Sequence, residues 1–289
     1  MACDLCGSTE YEVIWDKEER DKQGKLQSVT IPGHIHSRNV MCKKCGLVYV
    51  EPKMSRGDLN WFYREAYRAI YGGGANNTQA EKRHAETAYK LIPNDAILSR
   101  KHLDIGCSTG ELLTLTGGCG IEPNKDHYEI SINRGLNVAN TTLEEYHNNE
   151  QFNTITMLNA LEHVYSPTEV LTKINSLLTT NGYLLVSVPN IYNTTINLPV
   201  DAFLSNAHLY NFSVETLETL FNKCGFKVVE RVDVQEEIGD KLYFLGQKAD
   251  IKCTIPSLIG HEIEAMRTHL SAAQQVFQMK MAIKQASFR

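Results

Sequence analysis

From residue 101 onward, short apolar runs alternate with segments of helical periodicity, which points to a parallel sheet wound by helices. His102-Leu103-Asp104-Ile105 reads as a strand running into the turn Gly106-Cys107-Ser108-Thr109-Gly110, with a helix opening near Glu111. At the carboxyl edge of such a sheet, a glycine turn lets backbone approach a bound nucleotide or amino acid. Gly106 and Gly110 leave room, and Asp104 can accept hydrogen bonds from the loop or from an amino group. Gly120-Ile121-Glu122-Pro123-Asn124 then places a carboxylate at the end of a second strand, where it can hold both hydroxyls of a ribose. The pattern is D-x-G-x-S-x-G, and the dinucleotide fingerprint G-x-G-x-x-G is absent.

At these residues the chain resembles the class I S-adenosylmethionine (SAM)-dependent methyltransferases. Later segments carry the likeness further. Phe152–Val164 resembles the family's fourth strand and its "LEHV" continuation, with Ser166-Pro167 starting the next helix. Gly182–Asn190 looks like the fifth strand, and His208-Leu209-Tyr210-Asn211-Phe212-Ser213 resembles the segment before the last helix. That helix covers about Ser213–Cys224, with Ser213 as N-cap and Gly225 as C-cap. Phe226–Val234 and Lys241–Gln247 read as a closing antiparallel hairpin. The resemblance implies an α/β fold: a seven-stranded, mostly parallel SAM-methyltransferase sheet with helices on both faces. It also implies SAM contacts at Asp104, Gly106, Ser108, Gly110 and Glu122, adenine near Thr142 and Leu143, and Asn159 on the methionine portion. Two departures stand out. Ser108 occupies a position usually held by glycine, and only residues 111 to 121 separate Gly110 from Glu122, so the first helix must be short or the second strand offset.

Four of the eight cysteines form two copies of one knuckle, Cys3-Asp4-Leu5-Cys6-Gly7 and Cys42-Lys43-Lys44-Cys45-Gly46. A two-residue gap lets both thiolates of a knuckle point at one ion, and the glycine permits close backbone approach to sulfur. Cys3, Cys6, Cys42 and Cys45 together are the ligand set of a structural Zn²⁺ site, giving a small zinc-ribbon-like module. A redox role would want a CxxC opening a helix in a βαβ unit, and neither pair has that setting. Residues between the knuckles are expected to form a hairpin excursion, with bends at Gly24 and Ile31-Pro32-Gly33. His34 and His36 read as loop histidines or lining of the substrate cleft. Cys107, Cys119 and Cys224 read as small buried apolar residues. The knuckles and "C-x-x-C-G-L-V-Y" also resemble a methyltransferase subgroup of sugar and polysaccharide biosynthesis.

Leu47–Glu51 is a strand ended by Pro52, and a helix follows in which Tyr63, Tyr67 and Tyr71 share one face, as packing or as a functional stripe. Gly72-Gly73-Gly74 forms a linker or lid hinge before a second helix at about Thr78–Ile92. The tail repeats apolar residues at Ile259, Ile263, Met266, Leu270, Ala273 and Phe277, a stripe that packs on the domain or makes a homodimer. The expected organisation is a zinc-binding module over 1–52, a helical linker or lid over 53–98, the methyltransferase domain over 99–248 and a helical tail over 249–289.

For a hydroxyl acceptor, a base must remove the proton, and His208 and His163 are the candidates because imidazole titrates near neutrality. His163 reads equally well as a helix-start residue packing beneath the site. Glu162 is placed to orient a histidine or to bind cofactor indirectly, and Tyr192, Asn193, Tyr210 and Tyr67 to contact the acceptor. No second metal constellation is visible, which argues against magnesium-dependent catechol chemistry. The net charge of −5 and the lack of long Lys/Arg runs argue against nucleic acid as substrate. The apolar runs are too short to span a bilayer and no secretory signal is visible, so the expected location is cytoplasmic. The expected activity is methyl transfer from SAM to a small polar acceptor, a sugar or nucleotide-linked sugar. O-methylation is favoured over C- or N-methylation. Alternatives are an RNA methyltransferase gripping nucleic acid with its zinc module, and a non-catalytic SAM-binding interaction protein.

Overall fold

The computed structural model describes residues 1–16, 38–66, 78–147, 150–192, 199–204, 207–235, 241–251, 253–255 and 262–286. The two knuckles are followed by β-structure on each side. Strand β1 (Tyr11–Asp16) pairs antiparallel with β2 (Arg38–Cys42), which pairs with β3 (Val48–Glu51), so the expected hairpin legs are present. Gly24, Ile31-Pro32-Gly33, His34 and His36 lie outside the described residues. Helix α1 (Arg56–Trp61) is capped by Ser55, whose hydroxyl accepts from the Asp58 amide, and passes into a π-helical turn at Phe62–Ala66. Tyr67, Tyr71 and the triple glycine lie outside the described residues.

Helix α2 (Thr78–Leu91) and the short α3 (Asn94–Leu98) lead to β4 (His102–Ile105). The chain then runs through α4 (Glu111–Thr116), β5 (Cys119–Ile121), α5 (Lys125–Asn133) and β6 (Val138–Ala139). It returns through β7 (Phe152–Leu158), a 3₁₀ turn at Leu161–His163, α6 (Pro167–Leu177) and β8 (Leu178–Pro189). The short α7 (Val200–Phe203) and β9 (Tyr210–Asn211) precede α8 (Val214–Lys223), β10 (Phe226–Val234), β11 (Lys241–Lys248) and the 25-residue α9 (Glu262–Ala286).

The large sheet has the order β10-β11-β8-β7-β4-β5-β6, with β11 alone antiparallel to its neighbours. Leu184, Leu185, Val186 and Val188 are completely buried, as a strand covered on both faces requires. After β6 the chain crosses back to the other side of β4, so the sheet reverses between β4 and β7. A sheet of this kind takes ligands at the carboxyl ends of its strands beside such a reversal.

The cysteine module is not confined to residues 1–52. Its four-stranded sheet has the order β1-β2-β3-β9, and the fourth strand comes from Tyr210–Asn211. Ile263, Met266 and Leu270 of α9 pack with Ile14, Met41 and Val48, so the first half of the tail's apolar stripe covers this same sheet. Among the described residues, no helix is long and apolar enough to cross a membrane.

Candidate active site

A cavity of about 800 Å³ opens at the carboxyl ends of β4, β5 and β7. On the β4 side, Asp104 is buried beneath the turn. Thr156 of β7 donates to its Oδ1 at 2.6 Å, and His102 reaches the same hydroxyl through Nε2 at 2.8 Å. Burial pushes the Asp104 carboxyl up to about 7, with Glu122 adding to the rise and Thr156 opposing it. Burial holds the His102 imidazole down at about 4, so it is neutral at physiological pH.

The turn after β4 explains both departures from the family pattern. Helix α4 spans only six residues and ends on Gly117 and Gly118, both at positive φ, which brings β5 and Glu122 back in register. The helix is short and the strand is not displaced. Ser108 has φ +51, a conformation costly for a residue with a Cβ. Its hydroxyl meets His127 Nδ1 at 2.8 Å and donates to Glu81 at 3.3 Å, contacts that glycine could not make. Ser108 and Asn124 donate backbone N–H groups to the two oxygens of Glu122 at 2.9 and 2.8 Å, which fixes that carboxylate at the cavity wall.

Thr142, Leu143 and Asn159 also line the cavity. Asn159 sits at φ +50 just past β7; its amide contacts His84 at 3.5 Å, and its buried Oδ1 meets no hydrogen-bond partner. Gly106 lines the wall, whereas Gly110 does not. At Gly110 a Cβ would lie 2.2 Å from Leu136 Cδ1 and φ is +81, so this glycine serves close packing of the turn against the end of α5.

Just past β7, Glu162, His163 and His208 converge in the cavity wall, with one ligand-capable atom from each within 4.8 Å of the others. This is a cluster of metal-capable groups that sequence spacing did not reveal, because His208 is brought in by β9. Tyr63 donates its hydroxyl to the Ala207 carbonyl at 2.5 Å and also meets His163 Nδ1 at 2.8 Å. His163 Nδ1 lies 2.8 Å from the same carbonyl. A carbonyl only accepts, so Nδ1 carries the proton and Nε2 keeps its lone pair. Nε2 stands 3.8 Å from Glu162 Oε1. Glu162 is buried, its Oε2 meets no hydrogen-bond partner, and burial pushes its carboxyl up to about 7. The His208 ring lies edge-on to that of His163 with centroids 4.9 Å apart. Burial drives the His208 imidazole down to about 4, and its Nδ1 makes no well-formed hydrogen bond, the Phe203 carbonyl giving only partial relief. His208 therefore resists protonation.

Two expected acceptor contacts change. Tyr210 is fully buried in β9, where its hydroxyl meets Lys53 Nζ at 2.6 Å and the Tyr165 carbonyl at 3.0 Å; it lies outside the cavity. Tyr192 lies outside the cavity too, its ring against His269 of α9. Tyr67 and Asn193 fall outside the described residues. Sequence reading missed Glu81 and His84 on α2 and Lys241, whose ammonium lies 2.7 Å from His84 Nε2, and it leaves Tyr63 beside α1 between packing and function. Polar residues interrupting apolar strands (His102, Thr156) were the one legible signal for the support beneath Asp104.

In the N-terminal module, Cys3 and Cys45 sulfurs are 3.5 Å apart and those of Cys6 and Cys42 are 3.4 Å apart, and all four lie within 4.8 Å of one another. The donor set and its closeness fit a tetrahedral thiolate-bound ion. Crowding splits the titration of the sulfurs: the neighbouring Cys3 and Cys42, then burial, push the Cys45 thiol far above its ordinary value, while hydrogen bonds from Cys3 and Cys45 hold Cys42 far below it.

The profile of a family described as a methyltransferase domain matches residues 78–231, just over half of the chain. The chain belongs to this methyltransferase family. Among solved structures, the methyltransferase is similar to a 1,6-didemethyltoxoflavin-N1-methyltransferase from Burkholderia thailandensis, at 16% identity and TM-score 0.54 over 75% of this chain and 98% of the other. A magnesium protoporphyrin IX methyltransferase from Synechocystis PCC 6803 matches at 15% identity and TM-score 0.48, over 66% and 97% of the two chains. A SAM-dependent methyltransferase from Thermotoga maritima matches at 20% and 0.46, over 60% and 95%. No curated protein matches. The methyltransferase thus has the class I SAM-dependent fold that its strand order describes.

Proposed function

We propose that the methyltransferase binds SAM against the β4, β5 and β7 ends of the cavity and methylates a hydroxyl of a small, sugar-like acceptor at the Glu162–His163–His208 cluster. The residues present suit the donor. Glu122, braced on both oxygens, would hold ribose hydroxyls, and Thr142 and Leu143 would flank adenine. The unmet Asn159 Oδ1 and the buried Asp104 suit an ammonium group, and the acid-rich wall suits a sulfonium. When bound, SAM supplies an activated methyl group.

His163 Nε2 takes the proton of the acceptor hydroxyl as its oxygen gains the methyl group. Glu162, beside that nitrogen, stabilises the imidazolium as it forms. Tyr63 and the Ala207 carbonyl hold the ring in the tautomer that can accept. His208 remains neutral and lines the acceptor pocket. One observation carries this reading: the Ala207 carbonyl and Tyr63 hydroxyl both meet His163 Nδ1, which puts the ring proton there and makes Nε2 the basic nitrogen. The four-cysteine cluster holds structural zinc, and the net charge of −5 favours a small-molecule acceptor over nucleic acid. The exposed Val276, Met279 and Ile283 of α9 are the contact of a homodimer, which light scattering on Ile283→Glu would test.

The test is transfer of labelled methyl from SAM to pooled nucleotide sugars and to RNA, with His163→Gln and His208→Gln alongside. Label in the sugar pool, lost in His163→Gln and reduced less in His208→Gln, is the expected result. Label in RNA alone overturns the acceptor assignment, and undiminished transfer by His163→Gln overturns the proton acceptor.

A further inference from the structure

The cysteine cluster and the proton-accepting segment are joined by one residue. Asp4 lies between the two cysteines of the first knuckle, yet its hydrogen bonds reach α6 and α8. Its Oδ1 accepts from the Ser166 hydroxyl at 2.5 Å and its Oδ2 from the Thr168 amide at 2.8 Å. Its backbone carbonyl accepts from the Thr168 hydroxyl at 3.0 Å and from Lys223 Nζ at 2.8 Å. A carboxylate there satisfies an N-terminal amide of the helix and complements its dipole. Ser166 follows His163 by three residues, so Asp4 anchors the backbone just after the reacting group.

A second tie comes from the same module. Lys53 donates to the Tyr165 carbonyl at 3.0 Å and to the Tyr210 hydroxyl at 2.6 Å, with its ammonium over both rings. On the facing side, His208 enters β9, which pairs with β3, and the Val50 amide donates to the Leu209 carbonyl at 2.9 Å. Glu162 and His163 are therefore held through Asp4 and Lys53, and His208 through β3. Both halves of the cluster take their spacing from one body. In residues 1–10, Cys3 and Leu5 are the buried side chains, and an ion shared by the four sulfurs would fix the backbone on both sides of Asp4 through Cys3 and Cys6.

We propose that Asp4 is a positioning residue that transmits metal occupancy of the four-cysteine cluster to His163, holding its ring in the proton-accepting tautomer. This rests on the reading of His163 as proton acceptor, but its test needs no acceptor. Nitrogen NMR of ¹⁵N-labelled full-length protein reports the tautomer of each histidine, with His163 assigned by its loss in His163→Gln. Zinc content is read by native mass spectrometry and SAM binding by calorimetry.

In the zinc-loaded protein, His163 should show a single tautomer with Nδ1 protonated. In Asp4→Ala, and in protein stripped of zinc, the His163 signals should move toward the average of both tautomers. SAM affinity should stay within about twofold in both, because Asp104, Glu122 and Asn159 lie on elements Asp4 does not touch. Asp4→Asn keeps one accepting oxygen and should give a smaller shift in the same direction; if Asp4→Ala fails to fold, this variant decides. An unchanged single tautomer in Asp4→Asn and in the stripped protein overturns the proposal, whatever the acceptor assay gives. Loss of the tautomer signature with full transfer by His163→Gln instead leaves the coupling standing and removes the proton-acceptor reading.

Discussion

Replacing Glu162 by glutamine should stabilise the protein, and by an amount that grows as pH rises through neutrality. The Glu162 carboxyl is buried among protein atoms, and burial raises it from 4.5 to about 7. Below pH 4.5 it is protonated in both folded and unfolded chains, and burial carries no ionisation penalty. Between 4.5 and 7 the unfolded chain loses its proton while the folded chain keeps it, so the parent loses stability as pH climbs. Above about 7 the folded carboxyl ionises as well and the loss levels off. A rise of roughly 2.5 units at about 1.4 kcal/mol each corresponds to about 3 kcal/mol.

Glutamine does not titrate, so the difference in unfolding free energy between Glu162→Gln and parent should widen by about 3 kcal/mol from pH 4.5 to above 8. Asp104, also raised to about 7, works in the same direction. His102 and His208, held at about 4, work in the opposite one, gaining stability as pH rises from 4 toward 6.5. All three are common to both proteins and cancel in the difference. Any unmet donor of the new amide adds an offset without pH dependence. Urea unfolding followed by tryptophan fluorescence at half-unit pH steps measures the difference. Parallel stability curves for the two proteins would refute the burial argument.

Gly110→Ala should lower the melting temperature by several degrees, because its Cβ meets Leu136 Cδ1 at 2.2 Å and φ is +81; an unchanged melting scan would contradict the packing role. Ser108→Ala keeps the left-handed strain but loses the hydroxyl contacts, so it should be less stable than Ser108→Gly by about 1 kcal/mol in denaturant titrations. Glu122→Ala should weaken SAM binding by at least about tenfold in calorimetry, as lost hydrogen bonds to a bound ligand imply. Cys42→Ser should reduce zinc below one ion per chain by native mass spectrometry and lower the melting temperature.

The large sheet was legible because strand length, glycine turns and helix caps are local signals. Ser213 caps α8 with a capping box, and Thr78–Leu91 is helical within a residue of expectation. Glu122 was legible for the same reason, since its place depends on the strand before it. What sequence could not carry was contact between distant segments. Tyr210 looked like an acceptor contact because the loop after the fifth strand commonly covers one, yet two residues of that loop form a sheet edge and bury the ring. His208 was legible as a candidate base, but chain position says nothing about the desolvation that holds it neutral. Glu81, His84 and Lys241 reach the cavity from α2 and β11, elements whose own patterns speak only of packing. Asp4 gave no signal at all, because a residue between two ligands is read as part of the knuckle.

The pairing of β9 with β3 bears on how the chain can be cut or recombined. Residues 48–51 expose an unpaired strand edge until residues 210–211 arrive, so a fragment ending near residue 52 would present that edge to other chains. Synthesis delivers both knuckles early, and metal can be captured long before the sheet beside them is complete. The completed sheet then closes a loop of more than 150 residues around the whole cofactor-binding half. A graft that moves the knuckles onto a different catalytic body must therefore bring the segment 207–212 with it, so the inheritable unit here is discontinuous.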